Sequence, residues 1–385
     1  MQFEYLGVWG IIGGLLLAFW PVWVSLAVVL IGSYAFKSRL GLYGQLFDSG
    51  VGIAGVGVCL FWTFTAIYAS VISPFDPLAQ FAIMKDALPG AIEPQSGKAF
   101  LLGGDRLARD IFSRMVYGSQ IVLIIAPAAT LFALMVGTTL GLPAGYYGGR
   151  VDTVLSFLAN LVLAFPVILL FYLLVTPGIM ETAIPYAMAG VFFLFPIIFF
   201  CTLFYTRFKH RVGLLAVQIG LTVLIGGWIY LGLVFDADPL GIISIRPNEL
   251  NIFVAVVFAS SPGVFRIVRG LVMDIKTRDY VAAAQTRGEN PWYIMLWEVL
   301  PNARGPLIVD VCLRIGYTTI LLGTLGYFGL GLAPESPDWG TAIKESSRLL
   351  RAFVHPALPP VIALMSFVLG LNLLADALRE QSLKD

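Results

Sequence analysis

Long runs of apolar residues follow one another along most of this 385-residue chain. Several exceed the ~20 residues that a helix needs to cross the hydrocarbon core of a bilayer. Hydrophobic residues make up 58% of the chain and charged residues only 12%, about half the charged share of a soluble domain. A chain inside lipid must satisfy its backbone hydrogen bonds internally, as a helix does. The sequence therefore predicts an all-α, polytopic membrane helix bundle.

Nine apolar runs are candidates for membrane-spanning helices. The first contains Pro21 and is too short to cross a bilayer twice, so we expect one tilted or kinked helix there. It is also long for a signal peptide and has no basic stretch before it, which favours a retained span. The runs cover residues 6–36, 51–72, 116–142, 154–175, 182–205, 212–235, 250–268, 304–327 and 358–374.

The loops between these runs differ in positive charge, and cytoplasmic loops of membrane proteins carry an excess of Lys and Arg. One set of loops holds fourteen of these residues and the other set holds nine. We therefore expect the richer set in the cytoplasm, together with the C-terminus. The richer set lies at 37–39, 150, 207–211, 266–304 and 379–384.

Several classes of function find no support in the sequence. The net charge is +1 and no basic tract occurs, so no nucleic-acid partner is predicted. The cysteines and histidines show no ligand-like spacing, which predicts neither a metal site nor a cofactor. No GxxxxGK[ST] phosphate loop and no protease motif is present, so we do not expect an enzyme. The isolated residues are Cys59, Cys201, Cys312, His210 and His355.

The 271–302 segment interrupts the apolar pattern between the seventh and eighth runs. It reads LVMDIKTRDYVAAAQTRGENPWYIMLWEVLPN, and its charges are too costly to bury in lipid. We therefore expect it outside the bilayer, and the distribution of Lys and Arg predicts the cytoplasmic side. A short helix is predicted to end at Gly288, which permits a sharp turn. Asn290 and Pro291 then begin a second, amphipathic helix, which is expected to end before Pro301.

This segment resembles the loop by which ABC importer permeases couple to a cytoplasmic ATPase. The family pattern is Glu-Ala-Ala, three residues, Gly, nine residues, and then hydrophobic–x–Leu–Pro. Here Ala282 stands in place of Glu, and Glu298 in place of an apolar residue. The resemblance implies that the first short helix docks in a groove of the ATPase. The loop would comprise Asp279, Tyr280, Ala282, Ala283, Ala284, Gly288, Leu300, Pro301 and Asn302.

Three further blocks are similar to the peptide and nickel importer permeases. Residues 101–121 resemble LGTDxxGRDxxSRxxYGxRI, and residues 141–170 resemble GxxAGYxGGxxDxxxxRxxDxxxAFPxLLL. Residues 327–340 are similar to FLGLGxxPPxPxWG. The departures are Gly104 for Thr, Ala108 for Gly, Phe157 for Arg and Asn160 for Asp.

Together the blocks imply a type I ABC importer transmembrane fold in a multi-pass protein of the bacterial cell inner membrane. They imply one of two permease subunits that form a heterodimer, two cytoplasmic ATPase subunits, and an extracytoplasmic substrate-binding protein. Short peptides are the expected cargo. An alternative is a proton-coupled secondary transporter that works alone, for which Asp310 would be the titratable residue inside the membrane.

Two regions depart from the six-span core of that family. Residues 1–50 add an N-terminal span and a cytoplasmic linker, and residues 179–248 insert a two-span hairpin. The family core is then expected at 51–115, with the first core span and an extracytoplasmic segment, and at 116–380, the permease domain that holds the hairpin. An even number of inserted spans leaves the 271–302 segment on the cytoplasmic side.

Two groups of charged residues are further candidates. Asp310 and Arg314 lie four apart in the eighth run and should share one helix face. They are expected to form an intrahelical pair, to line the translocation path, or to contact the partner permease. Asp105, Arg109 and Asp110 precede the third run, where they either cap a helix and pair locally or contact the binding protein.

The remaining charges have a plainer alternative in each case. Lys344, Arg348 and Arg351, at helical spacing, would form a docking face or a solvated one. Glu289 and Glu298 would pair with a partner or stay solvated. Glu181 lies at the edge of a run, where an interfacial position is expected.

Overall fold

The computed structural model describes residues 4–176, 179, 182–238, 240–241, 247–330, 336–347 and 350–382. Within these ranges the chain is almost entirely helical, with one two-stranded hairpin. Seven of the described helices are long and apolar enough to cross a membrane, and the candidate spans number nine if each of two bent helix pairs is one span. The predicted all-α polytopic fold is confirmed.

The secondary structure follows the predicted runs with small shifts of their ends. The strands are β1 (Ala91–Ile92) and β2 (Ala99–Phe100), which pair antiparallel, and 3₁₀ turns lie at Lys37–Arg39, Leu46–Asp48 and Ala82–Met84. The helices are α1 (Val8–Ala18), α2 (Trp20–Ala35), α3 (Gly41–Gln45), α4 (Gly50–Ile67), α5 (Ala69–Ile72), α6 (Ile111–Tyr147), α7 (Gly149–Ala164), α8 (Val167–Val175), α9 (Ala183–Phe208), α10 (Val212–Phe235), α11 (Pro247–Ile275), α12 (Asp279–Thr286), α13 (Pro291–Tyr293, a π-helical turn at Ile294–Val299, and Leu300–Asn302), α14 (Arg304–Phe328), α15 (Trp339–Ser347) and α16 (Leu358–Ser382).

Two of the spans are broken, each beside a proline. α1 and α2 meet at an angle of 54°, and Pro21 lies in the first turn of α2. Proline has no N–H to donate to the preceding helix, but it fits the first turn of a new one. Of the two expected forms of the first run, tilted or kinked, the structure has the kinked one.

The fourth predicted span, 154–175, is divided into two helices. The first helix begins earlier, at Gly149, and α7 and α8 meet at 75°. Pro166 separates them, and Phe165 before it is extended, at φ −80° and ψ 128°. The proline ring disfavours helical geometry for the preceding residue, which explains the break.

The chain forms two compact units. The first contains Met1–Pro127 and Cys312–Asp385, and the second contains Ala128–Val311. In the first unit, α4 and α16 approach closely where each carries a glycine, because a Cβ on Gly55 would lie 2.6 Å from the Leu374 nitrogen. Trp62 Nε1 also donates a hydrogen bond to Ser366 Oγ, at 3.0 Å, across the same helix pair.

In the second unit, a glycine stripe on α6 receives a valine ridge of α11. Gly137, Gly141 and Gly145 are spaced four residues apart, and a Cβ on each would lie within 3 Å of a valine side chain. The valines, also four apart, are fully or almost fully buried. Small residues let helix backbones approach in a bilayer, where packing and not hydrophobicity drives association. The facing valines are Val264, Val268 and Val272.

α9 and α10 pair with each other in the predicted two-span hairpin. They are apolar on all faces. In the most apolar 18-residue stretch of each helix, only 11% of the residues of α9 and 0% of those of α10 are buried within the protein. Pro196 lies within α9, as proline is tolerated in transmembrane helices. Most of the hairpin surface is therefore available to lipid.

The glycine stripe generates a prediction about stability. We expect Gly137→Ala to lower the free energy of unfolding by about 1–3 kcal/mol, the usual cost of overpacking, because its Cβ would lie 2.8 Å from the Phe265 backbone nitrogen. Gly270→Ala is the matched control, since a Cβ there meets nothing within 4 Å. Thermal unfolding in detergent measures both, and equal melting temperatures would contradict the stripe's role.

Candidate functional site

The predicted turn at Gly288 is present and has a specific hydrogen-bonding pattern. Gly288 has φ +75°, which glycine adopts without steric cost. Its N–H donates to the Gln285 carbonyl at 2.9 Å, and the Glu289 N–H donates to the Ala284 carbonyl at 3.3 Å. These two bonds form a Schellman motif. They end α12 and reverse the chain toward α13.

The second helix of the 271–302 segment begins as predicted but does not end where predicted. Asn290 Oδ1 accepts a hydrogen bond from the Trp292 N–H at 2.9 Å, with Pro291 in the first turn. The helix then continues through Pro301 to Asn302, so its expected end before Pro301 was wrong. The π-helical turn at Ile294–Val299 changes the hydrogen-bond spacing, and Pro301 lies in the first turn of the α-helix that follows, where no N–H is needed.

The segment has an inner and an outer face, and the family motif is divided between them. Val281 and Ala284 are fully buried against Met295 and Val299. Ala282 and Ala283 point outward and are exposed. The exposed predicted residues also include Asp279, Tyr280, Gly288, Pro301 and Asn302, whereas Leu300 is half-buried.

Polar contacts attach this segment to the end of α6. Lys276 Nζ donates to the carbonyls of Gly145, at 2.8 Å, and Tyr146, at 3.3 Å. Gln285 Nε2 lies 3.1 Å from the Tyr146 hydroxyl. A lysine beside the last carbonyls of a helix also interacts favourably with the helix dipole. Displacement of the segment would therefore also displace α6.

A second ionic contact lies beside the same helices. Arg269 of α11 forms a bidentate pair with Asp152 of α7, with Nη2 2.6 Å from Oδ2. Arg266 Nη2 donates to Asn160 Oδ1 at 2.6 Å. Asn160 is one of the departures from the family pattern, and Phe157, the other in this helix, is exposed. α7 is thus joined to α11 by two arginines.

One of the two glutamates of the segment has an ionic partner within the segment itself. Glu298 was predicted to be solvated or to bind a partner, but it pairs within the segment with Arg287, whose Nη2 lies 2.9 Å from Oε1. Glu289 is half-buried. The pair joins α13 to the end of α12, and it contributes little to stability by itself because Arg287 is more than half exposed.

The predicted extracytoplasmic cluster is buried in the first unit. Asp105 accepts hydrogen bonds from the Leu107 and Arg109 N–H groups and from Arg109 Nε, at 2.7–2.9 Å. Asp110 precedes α6 and accepts from the N–H and hydroxyl of Ser113. These contacts favour helix capping and local charge pairing over direct contact with a binding protein.

Two departures from the family pattern occur together beside this cluster. Ala108 has φ +61°, in the region where the family's usual glycine carries no steric penalty. Gly104 packs directly on the Met84 carbonyl oxygen, which would clash with a Cβ at residue 104. The threonine that the family pattern has at this position would not fit here.

Sequence reasoning missed one acidic residue that completes the cluster. Glu345 of α15 pairs with Arg109 and with Arg114, whose Nη2 lies 3.1 Å from its Oε2. Arg109 and Arg114 are both 2% exposed, so each requires a counter-charge. Asp338 caps α15 by accepting from the Thr341 N–H at 2.9 Å. The third family pattern leaves the position of Asp338 unspecified and ends before Glu345, so it gave no signal for either residue.

The other predicted residues are dispersed. Asp310 and Arg314 lie one turn apart on α14, and both are half-buried. Lys344 lies on α15 and Arg351 in a turn, and the proposed face of Lys344, Arg348 and Arg351 stays a prediction. Arg348, Glu181 and residues 331–335 of the third block lie outside the described residues.

Burial of Asp110 generates a prediction about pH. It raises the pKa of Asp110 from 3.8 to about 6, so the folded state keeps a proton that the unfolded state loses. The free energy of unfolding should therefore fall as the pH rises from about 4 to about 6, at up to about 1.4 kcal/mol per pH unit. Asp110→Asn is expected to remove this slope.

Melting temperatures of the wild type and Asp110→Asn between pH 4 and pH 7 check this expectation. The difference between the two proteins isolates Asp110 from all other titrating groups. If the melting temperatures of the two proteins changed with pH in parallel, Asp110 would not bind its proton more tightly in the folded protein.

The fold and these sites define a class: a polytopic membrane protein with a structured polar segment between two spans. Residues 137–382 match the family described as binding-protein-dependent transport system inner membrane component, and the chain belongs to this family. It is thus the permease component of an ABC importer in the inner membrane, and ATP hydrolysis lies in separate subunits.

Individual relatives span nearly the whole chain. The dipeptide transport system permease protein DppC of Haemophilus influenzae is 28% identical over 90% of this chain and 95% of its own. The di/tripeptide transport system permease protein DppC of Pseudomonas aeruginosa is 27% identical over 90% and 93%. The glutathione transport system permease protein GsiD of Pectobacterium atrosepticum is 27% identical over 82% and 80%.

Proposed function

We propose that this permease imports short peptides. The support is the names of its relatives, which refer to dipeptides, di/tripeptides and glutathione. In this proposal it forms a heterodimer with a second permease and binds two cytoplasmic ATPase subunits. An extracytoplasmic binding protein delivers the cargo, and the C-terminus lies in the cytoplasm, as the distribution of Lys and Arg suggests.

The outer face of α12 is the proposed docking surface for an ATPase. Ala282 and Ala283 are small and exposed, so they allow a partner groove to approach the helix backbone closely. The inner face supports this role, because Val281 and Ala284 are packed without solvent exposure. α12 would then move as one body with α13, and no separate deformation of the helix is needed.

The force would pass from α12 to the membrane spans by two routes. One is the continuous chain from α12 back into α11. The other is the set of polar contacts from Lys276 and Gln285 to Gly145 and Tyr146 at the end of α6. Both helices meet along the glycine stripe, so they would move together. Such a movement would carry the permease between inward-facing and outward-facing states.

Asp310 and Arg314 remain candidates for a role on the translocation path. Their half-burial on α14 supports a polar position within the span, since charges in a membrane helix face protein or water. We do not assign them to the docking of an ATPase.

The docking surface can be tested by placing a large, charged side chain on the outer face of α12. We expect Ala283→Arg to reduce co-purification of the ATPase subunits at least about tenfold, because an unpaired, immobilised arginine in a small-residue contact costs roughly 1.4 kcal/mol or more. Ala282→Glu restores the family's usual residue and should retain the complex. The melting temperature of the isolated permease should not change, since both alanines are exposed.

Ala237→Arg provides the matched control for this experiment. Ala237 is also exposed, but it lies in a loop predicted on the opposite side of the membrane. Equal loss of the ATPases with both arginine variants would contradict docking at α12.

The cargo proposal is tested in proteoliposomes that contain both permeases and the ATPases. With the binding protein present, a labelled dipeptide should accumulate only when ATP is available to the ATPases. Unlabelled tripeptide should compete, and a free amino acid should not. Uptake driven by a proton gradient without ATPases would contradict the importer mechanism.

A further inference from the structure

The indole of Trp297 is held from two directions by the end of the inserted hairpin. Its Nε1–H donates to Thr206 Oγ1 at 3.1 Å. The guanidinium carbon of the next residue, Arg207, lies 4.8 Å from the indole ring centroid, within the range of a cation–π contact. Two successive residues of α9 therefore contact the edge and the face of one side chain in α13.

The hydroxyl of Thr206 is oriented for this contact. Thr206 is 6% exposed, and its hydroxyl donates to the Leu203 carbonyl at 2.9 Å. The hydroxyl proton is therefore engaged in a hydrogen bond within α9, and a lone pair of the same oxygen is free to accept from the indole N–H. Trp297 is half-buried, and leaving its N–H without an acceptor would cost free energy, so the bond specifies where the indole lies.

Apolar packing extends the contact beyond these polar atoms. Phe199 and Leu203 of α9 pack against the core cluster that contains Met295 and Val299. This cluster is the inner face of the 271–302 segment. α9 therefore forms one wall of the segment's core, while α6 and α11 form others.

The supported stretch is one that needs tertiary support. Trp297 lies within the π-helical turn at Ile294–Val299, and π-helical turns are rare, usually isolated within α-helices and frequent at functional sites. Local hydrogen bonding alone does not favour such a turn over a regular helix. The contacts that Trp297 makes with α9 therefore help to hold it in this form.

We propose that the α9–α10 hairpin positions α13 through Trp297, with Thr206 and Arg207 as positioning residues that keep ATP hydrolysis coupled to transport. The inference rests on the proposed docking of an ATPase at α12. When α13 is held against α9, the movement of α12 passes to α11 and α6. When the contact is lost, α13 yields to part of that movement, and ATP is hydrolysed without transport.

Four substitutions at three residues test the contact. Thr206→Val keeps the shape of the side chain and removes the hydrogen-bond acceptor, whereas Trp297→Phe removes the donor. Arg207→Gln removes the cation, and Arg207→Lys keeps it. In the proteoliposome assay we expect Thr206→Val and Arg207→Gln each to raise the ATP hydrolysed per peptide imported about threefold to fivefold, the change that one such contact makes in an equilibrium.

The pattern among the variants separates positioning from a general loss of stability. Arg207→Lys should stay within about twofold of the wild type, since it retains a cation–π partner. Thr206→Val combined with Trp297→Phe should be no worse than Trp297→Phe alone, because both changes remove the same hydrogen bond. Lys209→Gln is the charge-matched control, since Lys209 is exposed two residues further along.

The outcomes distinguish this inference from the proposed function. An unchanged ATP-to-peptide ratio in Thr206→Val and Arg207→Gln, with the ATPases still bound, would overturn the inference and leave the proposed function intact. A rise in the ratio equal to that of Lys209→Gln would also overturn it. If the wild-type permease captured no ATPase at all, the proposed function itself would fail.

Discussion

The close contact of α6 with α11 is the interaction on which the second unit depends. Lipid is as apolar as a leucine side chain, so transmembrane helices gain little from hiding apolar surface from it. Gly137, Gly141 and Gly145 instead let a valine ridge approach the α6 backbone, where many small dispersion contacts add up. α11 continues into the 271–302 segment, so this contact also sets where the segment emerges.

The polar contacts at the end of these helices supplement the apolar contact. Lys276 satisfies carbonyls at the C-terminal end of α6, and Arg269 holds Asp152 of α7. The valine ridge already restricts sliding of the two helices, and the directional hydrogen bonds add to the definition of their register. The segment, α6 and α11 are therefore well suited to move together, and the proposed contact of Trp297 with α9 would add a further support.

The sequence predicted the spans well and their irregularities unevenly. Hydrophobicity and length located all nine candidate spans, and Pro21 correctly indicated a kink. Pro166 carried the same signal within the fourth run, but the continuity of apolar residues concealed it. The end of α13 was misplaced because Pro301 normally terminates a helix, and the π-helical turn before it has no recognisable sequence pattern. The predicted cluster around Arg109 lacked Glu345, because Glu345 lies 236 residues away in the chain.

The sequence by itself determined the membrane class, the approximate spans, the turn at Gly288 and the family, because each depends on local composition or on ordered motifs. The tertiary structure alone decided which face of α12 is exposed, which charges are paired, and what holds Trp297. Those features depend on side chains that are far apart in the chain and meet only after the helices pack. Glu298 illustrates the difference: the sequence offered two roles for it, and the position of Arg287 provided a third.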